Sequence, residues 1–332
     1  MLDIIIPTYN DPKGLEKTLS SIDFRDDINV TVVNDCSTID YSAVYNKYPF
    51  SVRFISLQKN SGPGAARQFG INNTSNPYIM CIDSGDYIAS KYAFDEILDT
   101  IQSYPDYFIY SWPWIVQNKN TLREASSEVL HGKVFKREYL EYYKITFGNS
   151  PSYTNEDIAF VHNCRAIINY LNKYGTEKKE LRRELPFYIY TYNENSLTHK
   201  NNNEFEYKTQ IKGLTENMLH TAQNCVMNHI DEDIIIGELS LTFARIYYDF
   251  LNILINYPDY AQFSWDLIYK FYWSGCEQYG EKFIVSAQNN LSVFLPLIKK
   301  LKLPRNLRIN IRRFILDVRN NKNITDNYLT FS

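Results

Sequence analysis

The sequence predicts an α/β fold, with a mainly parallel sheet covered by helices on both faces, followed by a helical C-terminal region. Two observations predict it. Short runs of β-branched residues alternate with helical patterns through the first half of the chain, which is the signature of a parallel sheet. From about Phe205 onward only helical patterns occur. A polar segment, 198–203, separates the two parts, so we expect domains at 1–203 and 204–332.

The individual elements are predicted from the apolar patterns in chain order. Strands are expected at Asp3–Pro7, Asn29–Val33, Val52–Leu57 and Tyr78–Ile82, and helices at Lys13–Ile22 and Gly64–Asn72. A strand-like run at Tyr107–Trp114, the run Val134–Tyr143 and a helix from Asn155 follow. In the C-terminal region, helices are expected near Phe205–His229, Asp233–Asn256, Ser264–Tyr279 and Val285–Asn320.

Composition excludes several classes of protein. The 332 residues are 44% hydrophobic and 22% charged, which excludes general disorder. A net charge of −3 does not favour a polyanion partner for the whole surface. Five scattered cysteines without a C-x-x-C pair argue against a disulfide framework or a structural zinc site. The strand pattern at the N-terminus, without a signal-peptide pattern, and the charges within Ile234–Ile255 predict a soluble protein. The cysteine pattern predicts reduced thiols and therefore a cytoplasmic protein.

Polar residues follow three of the predicted strands. They are Thr8–Asn10, Asn34–Asp35 and Asp83–Asp86. Because the carboxyl ends of parallel strands meet at one edge of a sheet, where ligands bind, these three strand ends define a candidate site. Oxygen ligands such as the two carboxylates of Asp83 and Asp86 suit Mg²⁺ or Mn²⁺. Asp, Ser and Gly also form ordinary turns, so this run alone is a weak signal.

Six motifs occur in a fixed order. They are Pro7–Asn10, Val33–Ser37, Gly62–Arg67, Ile82–Asp86, Asn155–Phe160 and Ser196–His199. In this order they resemble the family 2 glycosyltransferases, whose nucleotide-diphosphosugar-binding domain has the GT-A-type fold. The resemblance covers about the first 200 residues and leaves out the helical region.

The resemblance implies a nucleotide-sugar donor and assigns it a set of contacts. The implied donor-binding residues are Pro7, Thr8, Tyr9, Asn10, Asp35, Gly62, Arg67, Asp83 and Ser84. Pro7, Thr8 and Tyr9 would form a wall for a uracil-type base, and Asp35 would accept from its ring N–H. The alternative for Asp35 is a turn residue, and that for Gly62 is an ordinary residue at the start of a helix. The alternatives for Arg67 are a pair with Asp83 or a solvated position.

The metal site departs from the family pattern at Gly85, where the family usually has Asp. Asp83 and Asp86 remain as metal ligands for Mn²⁺ or Mg²⁺, and His199 is the natural additional ligand. Three outcomes stay open: Asp86 takes over from the missing carboxylate, the site depends on Asp83 and another ligand, or metal binding is weak. The alternative for His199 is a surface loop histidine.

The resemblance makes Asp157 the catalytic base of an inverting transfer, which needs a carboxylate to accept the acceptor's proton. An acidic residue in the first turn of a helix also favours the helix dipole, and both roles are compatible. Acceptor contacts are assigned to Glu156, Trp112 and Trp114, since aromatic rings stack on sugar faces. For the two tryptophans, packing in the core or at its rim is the first-ranked alternative.

Residues 299–322 hold nine basic residues and one acid, interleaved with apolar residues. Such a stretch suits an anionic membrane surface or a polyanion acceptor. A solvated helix that packs its apolar side on the protein is the commoner outcome and is ranked first. The C-terminal region is also a candidate for homo-oligomer contacts.

The leading hypothesis is an inverting, metal-dependent glycosyltransferase that moves a hexosyl or N-acetylhexosaminyl group from a UDP-sugar. The acceptor would be a cell-surface glycan, a teichoic-acid-like polymer or a lipid-linked saccharide, reached in the cytoplasm or at the inner membrane face. One alternative is a glucosyltransferase that acts on modified DNA bases. Another is a catalytically inactive sugar-binding or scaffold protein, which the substitution at Gly85 alone supports.

Overall fold

The structure is a computed structural model that describes residues 1–49, 51–117, 121–125, 127–148, 155–175, 179–191, 204–256 and 261–300. The chain divides into two compact units, Met1–Lys200 and Asn201–Ser332, and each is described by itself.

The strands of the first unit form two sheets. The strands are β1 (Leu2–Thr8), β2 (Ile28–Asn34), β3 (Val52–Ser56), β4 (Tyr78–Cys81), β5 (Tyr87–Ile88), β6 (Ile109–Ser111), β7 (Trp114–Val116), β8 (Thr121–Arg123), β9 (Lys133–Lys136), β10 (Glu180–Arg182) and β11 (Tyr188–Tyr190). The central sheet has the order β10-β6-β9-β4-β1-β2-β3, and the smaller sheet has the order β5-β11-β7-β8.

The central sheet is mainly parallel. β1 lies between β2 and β4 and runs parallel to both. All seven residues of β1 and all four of β4 are buried, as expected for strands covered on both faces. Only β9, among the described strands of this sheet, is antiparallel to its neighbours β4 and β6. The carboxyl ends of β1, β2 and β4 therefore lie at the same edge.

The described helices of the first unit are α1 (Pro12–Ser20), α2 (Ser42–Lys47), α3 (Pro63–Asn72), α4 (Tyr92–Ser103), α5 (Arg137–Tyr142) and α6 (Glu156–Tyr174). The first helix begins directly after β1 because Asp11 caps it, with its Oδ1 accepting from the backbone N–H of Gly14 at 2.9 Å. α3 begins after Gly62, which has a φ of +87°. Both helices start at the edge where the strands end.

Two of the predicted runs differ from the structure. The run Tyr107–Trp114 is not one strand: it contains β6 of the central sheet and the first residue of β7 of the smaller sheet. The chain leaves the first sheet at Trp112-Pro113, where proline has no N–H to donate to a ladder. The run Val134–Tyr143 divides into β9 and α5, since an apolar run does not by itself separate a strand from a helix.

The described part of the second unit is helical, as its pattern predicts. Its helices are α7 (Glu204–Met227), α8 (Glu232–Asn256), α9 (Ala261–Tyr279) and α10 (Glu281–Lys300). α8 packs against each of the other three helices, and Phe243, Tyr247 and Phe250 lie in its buried face. Among the described residues, no helix is both long enough and apolar enough to cross a bilayer. The predicted helix beyond Lys300 lies outside the described residues.

Candidate active site

The loop after β4 is a tight turn with a glycine at its centre. The backbone N–H of Asp86 donates to the carbonyl of Asp83 at 3.0 Å, and that of Gly85 donates to Thr18 Oγ1 at 3.0 Å. Gly85 has a φ of +98°, in the region that side-chain-bearing residues rarely adopt. The backbone of this turn therefore favours glycine at the position where the family usually has Asp.

Asp83, Asp86 and His131 form a cluster at this turn. His131 Nε2 lies 3.9 Å from Asp83 Oδ2 and 3.8 Å from Asp86 Oδ2, and one ligand atom from each of the three residues lies within 4.8 Å of the others. Asp83 is 38% exposed at its side chain, whereas Asp86 and His131 are buried. Two carboxylates and an imidazole this close together are a suitable donor set for a divalent cation.

The smaller sheet holds Asp86 in place. The hydroxyl of Tyr188 donates to Asp86 Oδ2 at 2.7 Å, and the backbone N–H of Thr191 donates to Oδ1 at 2.8 Å. Burial raises the pKa of Asp86, opposed by the charge of His131 and reinforced by that of Asp83. Each carboxylate oxygen retains a second lone pair, so these bonds leave acceptor capacity for a cation.

His131 is enclosed by aromatic rings. Its ring centroid lies 4.6 Å from that of Trp114, 4.8 Å from Tyr188 and 5.1 Å from Tyr190. His131 Nδ1 is buried and has no hydrogen-bond partner among the described residues. The sequence did not predict His131, because a single histidine with no second ligand at a regular spacing carries no metal signal. The predicted ligand His199 lies outside the described residues.

Arg67 joins the turn after β4 to the start of α6. Its Nη2 contacts Asp83 Oδ1 at 2.6 Å and its Nη1 contacts Glu156 Oε1 at 2.6 Å, with only 4% of the arginine side chain exposed. Burial alone would raise the pKa of Asp83, but the Arg67 guanidinium holds it well below its usual range. For Glu156 burial dominates over Arg67, and the pKa of Glu156 is raised. This contact matches the alternative in which Arg67 pairs with Asp83, and the contact of Arg67 with the donor remains a prediction.

Glycine at position 64 allows the ion pair between Arg67 and Glu156 to form. A Cβ at Gly64 would lie 2.7 Å from Glu156 Cγ, closer than side-chain carbons approach each other. The start of α3 and the start of α6 therefore contact each other at Gly64. This close approach brings the carboxylate of Glu156 within reach of Arg67, one turn further along α3.

Asp35 organises the loop that precedes α3. Its Oδ1 accepts from the backbone N–H of Ser61 at 2.7 Å and its Oδ2 accepts from that of Gly62 at 2.8 Å. The residue is 3% exposed, and burial raises the pKa of its carboxyl group against these two bonds. These contacts match the turn alternative for Asp35. Its contact with a base, and that of Gly62 with the nucleotide, remain predictions.

The end of β1 lies beside the turn after β4. Thr8 Oγ1 contacts Tyr41 Oη at 2.8 Å and donates to Ser84 Oγ at 3.4 Å. Asn10, with a φ of +51°, accepts at its Oδ1 from the backbone N–H of Thr38 at 2.9 Å. Tyr9 is 48% exposed, so its ring is available to a ligand at this edge. Pro7 is buried within β1.

Asp157 lies in the first turn of α6, directly after Glu156. It is partly exposed, and its charge acts on Arg67 and on Lys133 of β9. The helix begins after Asn155, which has a φ of +62°. Asp157 therefore stands at the same edge as Asp83, because Arg67 connects the adjacent Glu156 to that residue.

The two tryptophans pack instead of lining an open surface. Trp112 is fully buried, with its ring 5.3 Å from that of Phe187, which matches the packing ranked first for it and leaves no ring face accessible to a sugar. Trp114 is 9% exposed and donates from Nε1 to Ser127 Oγ at 3.0 Å. It forms part of the wall around His131.

Relatives of known name share part of this sequence. The poly(ribitol-phosphate) beta-N-acetylglucosaminyltransferase TarS of Staphylococcus aureus (strain Mu50) is 33% identical over 92 residues, 26% of this chain and 16% of TarS. The minor teichoic acid biosynthesis protein GgaA of Bacillus subtilis (strain 168) is 32% identical over 120 residues, 32% of this chain and 25% of GgaA. The matched segments thus span a quarter or less of these relatives.

The fold and the family follow from two further comparisons. The crystal structure of S. aureus TarS 1–349 in complex with UDP-GlcNAc has a TM-score of 0.69 at 16% identity, covering 99% of this chain and 89% of that chain. This likeness confirms the predicted fold class, including the helical C-terminal region. The sequence model of glycosyl transferase family 2 matches residues 3–169, about half of the chain. The resemblance of the six motifs is confirmed, and the chain belongs to glycosyl transferase family 2.

Proposed function

We propose that this chain transfers a hexosyl or N-acetylhexosaminyl group from a UDP-sugar to a hydroxyl of a teichoic-acid-like polymer. The observation that carries the proposal is the cluster of Asp83, Asp86 and His131 at the carboxyl edge of a family 2 domain, with Asp157 at the same edge. Support for the acceptor class comes from two relatives: TarS is named as a poly(ribitol-phosphate) beta-N-acetylglucosaminyltransferase, and GgaA is named for minor teichoic acid biosynthesis. Other cell-surface glycans and lipid-linked saccharides are the remaining acceptors within the proposal, in the cytoplasm or at the inner membrane face.

A divalent cation, Mn²⁺ or Mg²⁺, fits the cluster. The donor set is two carboxylates and one imidazole, and the buried ring of His131 has no other polar partner among the described residues at Nδ1. Asp83, Asp86 and His131 would hold the ion. When bound, such an ion offsets the negative charge that develops on a departing diphosphate.

The residues of the chain account for the remaining chemistry. The acceptor oxygen forms a bond to the anomeric carbon while the bond from that carbon to the diphosphate oxygen breaks, and UDP leaves with the electron pair. Asp157 takes the proton of the attacking hydroxyl, and this direct displacement inverts the anomeric centre. Arg67 holds Asp83 and Glu156 in fixed positions, one at each terminal nitrogen of its guanidinium group. The exposed ring of Tyr9 offers a surface to the base.

The test is a transfer assay with the purified chain. UDP-GlcNAc and UDP-glucose are each incubated with poly(ribitol phosphate), with poly(glycerol phosphate) or without acceptor, in Mn²⁺ or in EDTA. We expect acceptor-dependent release of UDP, a mass increase of one sugar residue per transfer, and loss of both in EDTA. Hydroxymethylated DNA is a further acceptor arm, which tests the modified-base alternative. Failure of every donor to bind or react, with the fold intact, would overturn the proposal.

A further inference from the structure

Lys133, the first residue of β9, is fully buried. Its ammonium donates to Ser127 Oγ at 3.3 Å, and it makes no ion pair with any described carboxylate. Burying a charged ammonium with a single neutral acceptor is unfavourable unless a nearby charge compensates. The charged groups around Lys133 therefore indicate which negative charge compensates its ammonium.

The strand register places Lys133 on the face of the central sheet that α6 covers. Lys133 lies directly opposite Ser111 of β6, and residues opposed in this way point to the same face. Phe135, two residues further along β9, shares that face. Its ring packs against Phe160 of α6, with 5.3 Å between the centroids. Lys133 therefore points toward α6.

Lys133 and the first turn of α6 lie at the same edge of the sheet. β9 is antiparallel to β4, with Val134 opposite Met80, so β9 begins where β4 ends. α6 also begins there, since Arg67 links Glu156 to Asp83. Asp157 precedes Phe160 by three residues and so lies on the same side of the helix, one turn nearer this edge. Lys133 precedes Phe135 toward the same edge.

Among the charged groups around Lys133, Asp157 is the negative charge that is not already paired with another residue. These groups are Arg165 and Asp157 on α6 and Glu180 and Arg182 on β10. Glu180 is committed, because it accepts from Ser111, Arg165 and Arg182. The carboxylate of Asp157 has no hydrogen bond or ion pair among the described residues.

We propose that Lys133 is a positioning residue for the transfer reaction, attracting the carboxylate of Asp157 from the protein interior so that this carboxylate keeps the orientation that receives the acceptor's proton. The proposal rests on the proposed role of Asp157 as the base. Lys133 does not touch the substrates, since its side chain is fully enclosed. Its contribution is a buried positive charge near the start of α6, in a region of low dielectric where charges act strongly.

The first experiment is a kinetic double-mutant cycle with Lys133→Met and Asp157→Asn. Methionine has a similar length and removes the charge, and replacing a buried charge with an apolar side chain is often tolerated. We expect Lys133→Met to lower kcat about 10- to 100-fold with unchanged KM for the UDP-sugar, and to have no further effect when Asp157 is already Asn. Lys136→Met, on the same strand but on its other face, is the matched control and should leave kcat unchanged.

Two results would overturn the proposal: an unchanged kcat in Lys133→Met, or the same fold-loss in the Asp157→Asn background as in the wild type. If Asp157→Asn itself keeps full turnover, the base assignment fails instead, and the two failures are distinguishable. Denaturation midpoints of the same four proteins test the juxtaposition without any substrate. We expect non-additive midpoint shifts, whereas additive shifts would place Lys133 and Asp157 apart. Lys133→Gln replaces Lys133→Met in both cycles if the methionine variant does not fold.

Discussion

At the residue scale, the backbone conformation at position 85 favours glycine over the aspartate that the family usually has there. From the sequence we expect that Gly85→Asp, which restores the family's usual residue, leaves metal-dependent binding intact. The φ of +98° adds a backbone cost of about 1–3 kcal/mol for any residue with a Cβ. The nearest atom to such a Cβ, Asp11 Oδ2 at 3.7 Å, leaves ordinary space, so the cost comes from the backbone and not from a clash.

We therefore expect Gly85→Ala to lower the free energy of unfolding, measured by denaturant titration. Gly237→Ala is the matched control: nothing lies within 4 Å of its Cβ position, and it lies within α8, where alanine favours the helix by about 1 kcal/mol. The two substitutions should thus have opposite signs. A Gly85→Ala protein as stable as the wild type would show that this turn accepts other residues.

The cluster of Asp83, Asp86 and His131 gives a prediction about metal binding. Asp83→Asn, Asp86→Asn and His131→Asn should each weaken Mn²⁺ binding and the Mn²⁺-dependent part of UDP binding, because each removes a ligand. Calorimetry with Mn²⁺ alone, and with UDP in Mn²⁺ or EDTA, measures both. His162→Asn, another largely buried histidine outside the cluster, is the control. Equal UDP affinity in Mn²⁺ and EDTA would contradict a metal bridge.

Asp157 gives a prediction that separates chemistry from binding. Asp157→Asn keeps the size of the side chain but removes its ability to take a proton. Turnover should fall by roughly 10²–10⁴, while the affinity for UDP stays that of the wild type. Asp95→Asn, an exposed carboxylate on α4 that pairs with Arg25, is the control. Unchanged turnover in Asp157→Asn would remove this residue from the mechanism.

The site residues differ in how far the sequence could predict them. Asp83, Asp86 and Asp157 follow a strand or begin a helix, so a local pattern marks each of them. His131 and Lys133 carry no local signal, since their partners lie in distant segments and depend on the register of β9 against β4 and β6. Register is set by long-range pairing, which one sequence does not display.

At the element scale, Arg67 connects α3, the turn after β4 and the start of α6. Removing one partner of a buried ion pair leaves an uncompensated charge, which costs about 3–5 kcal/mol. We expect Arg67→Met to be destabilised by an amount of this order, measured by denaturation, because Glu156 is almost fully buried. Glu156→Gln in the Arg67→Met background should recover part of the loss. No recovery would mean that Arg67 acts mainly through Asp83, whose side chain is 38% exposed.

The same ion pair has a pH dependence of known sign. The pKa of Glu156 is raised above its ordinary value of 4.5, so the folded chain binds this proton more tightly than the unfolded chain. The contribution of Glu156 to stability therefore falls as pH rises from about 4.5. Without Arg67 the ionised carboxylate of Glu156 loses the positive charge that stabilises it. The loss of stability in Arg67→Met, relative to the wild type, should therefore grow as pH rises above about 4.5.

The elements themselves were largely predictable, with boundaries as the main source of error. β1, β2 and β4 are buried runs of β-branched and other apolar residues, which a strand pattern predicts. The division of Tyr107–Trp114 between two sheets was not predicted, because the hydrophobic pattern continues across Trp112-Pro113. The backbone N–H of Trp112 donates to the carbonyl of Gly132, a contact with a distant segment. Long-range contacts of this kind decide which sheet each half joins.

At the scale of the whole molecule, the family assignment and the fold cover different parts of the chain. The family 2 match ends at residue 169, whereas the structural likeness to TarS 1–349 covers 99% of the chain. The helices α7–α10 thus have a known counterpart in fold but no chemistry assigned by the family. Their apolar core, with Phe243, Tyr272 and Phe283, explains how this unit folds. Oligomer contacts through it remain a prediction.

The basic stretch 299–322 gives the last prediction, which concerns residues that lie almost entirely outside those described. Its sequence favours a helix that packs its apolar side and solvates its charges. On that interpretation Ile311→Asp lowers the melting temperature, because it puts a charge among apolar contacts. The triple reversal of Arg308, Arg312 and Arg313 to Glu then leaves both the melting temperature and the binding of anionic vesicles or poly(ribitol phosphate) unchanged. Co-sedimentation at low and high salt measures the binding, and a thermal melt measures the melting temperature.

A different result would assign the stretch to an anionic acceptor or membrane surface. In that case the wild type binds in a salt-sensitive way, because salt screens such attraction, and the triple reversal abolishes the binding without changing the melting temperature.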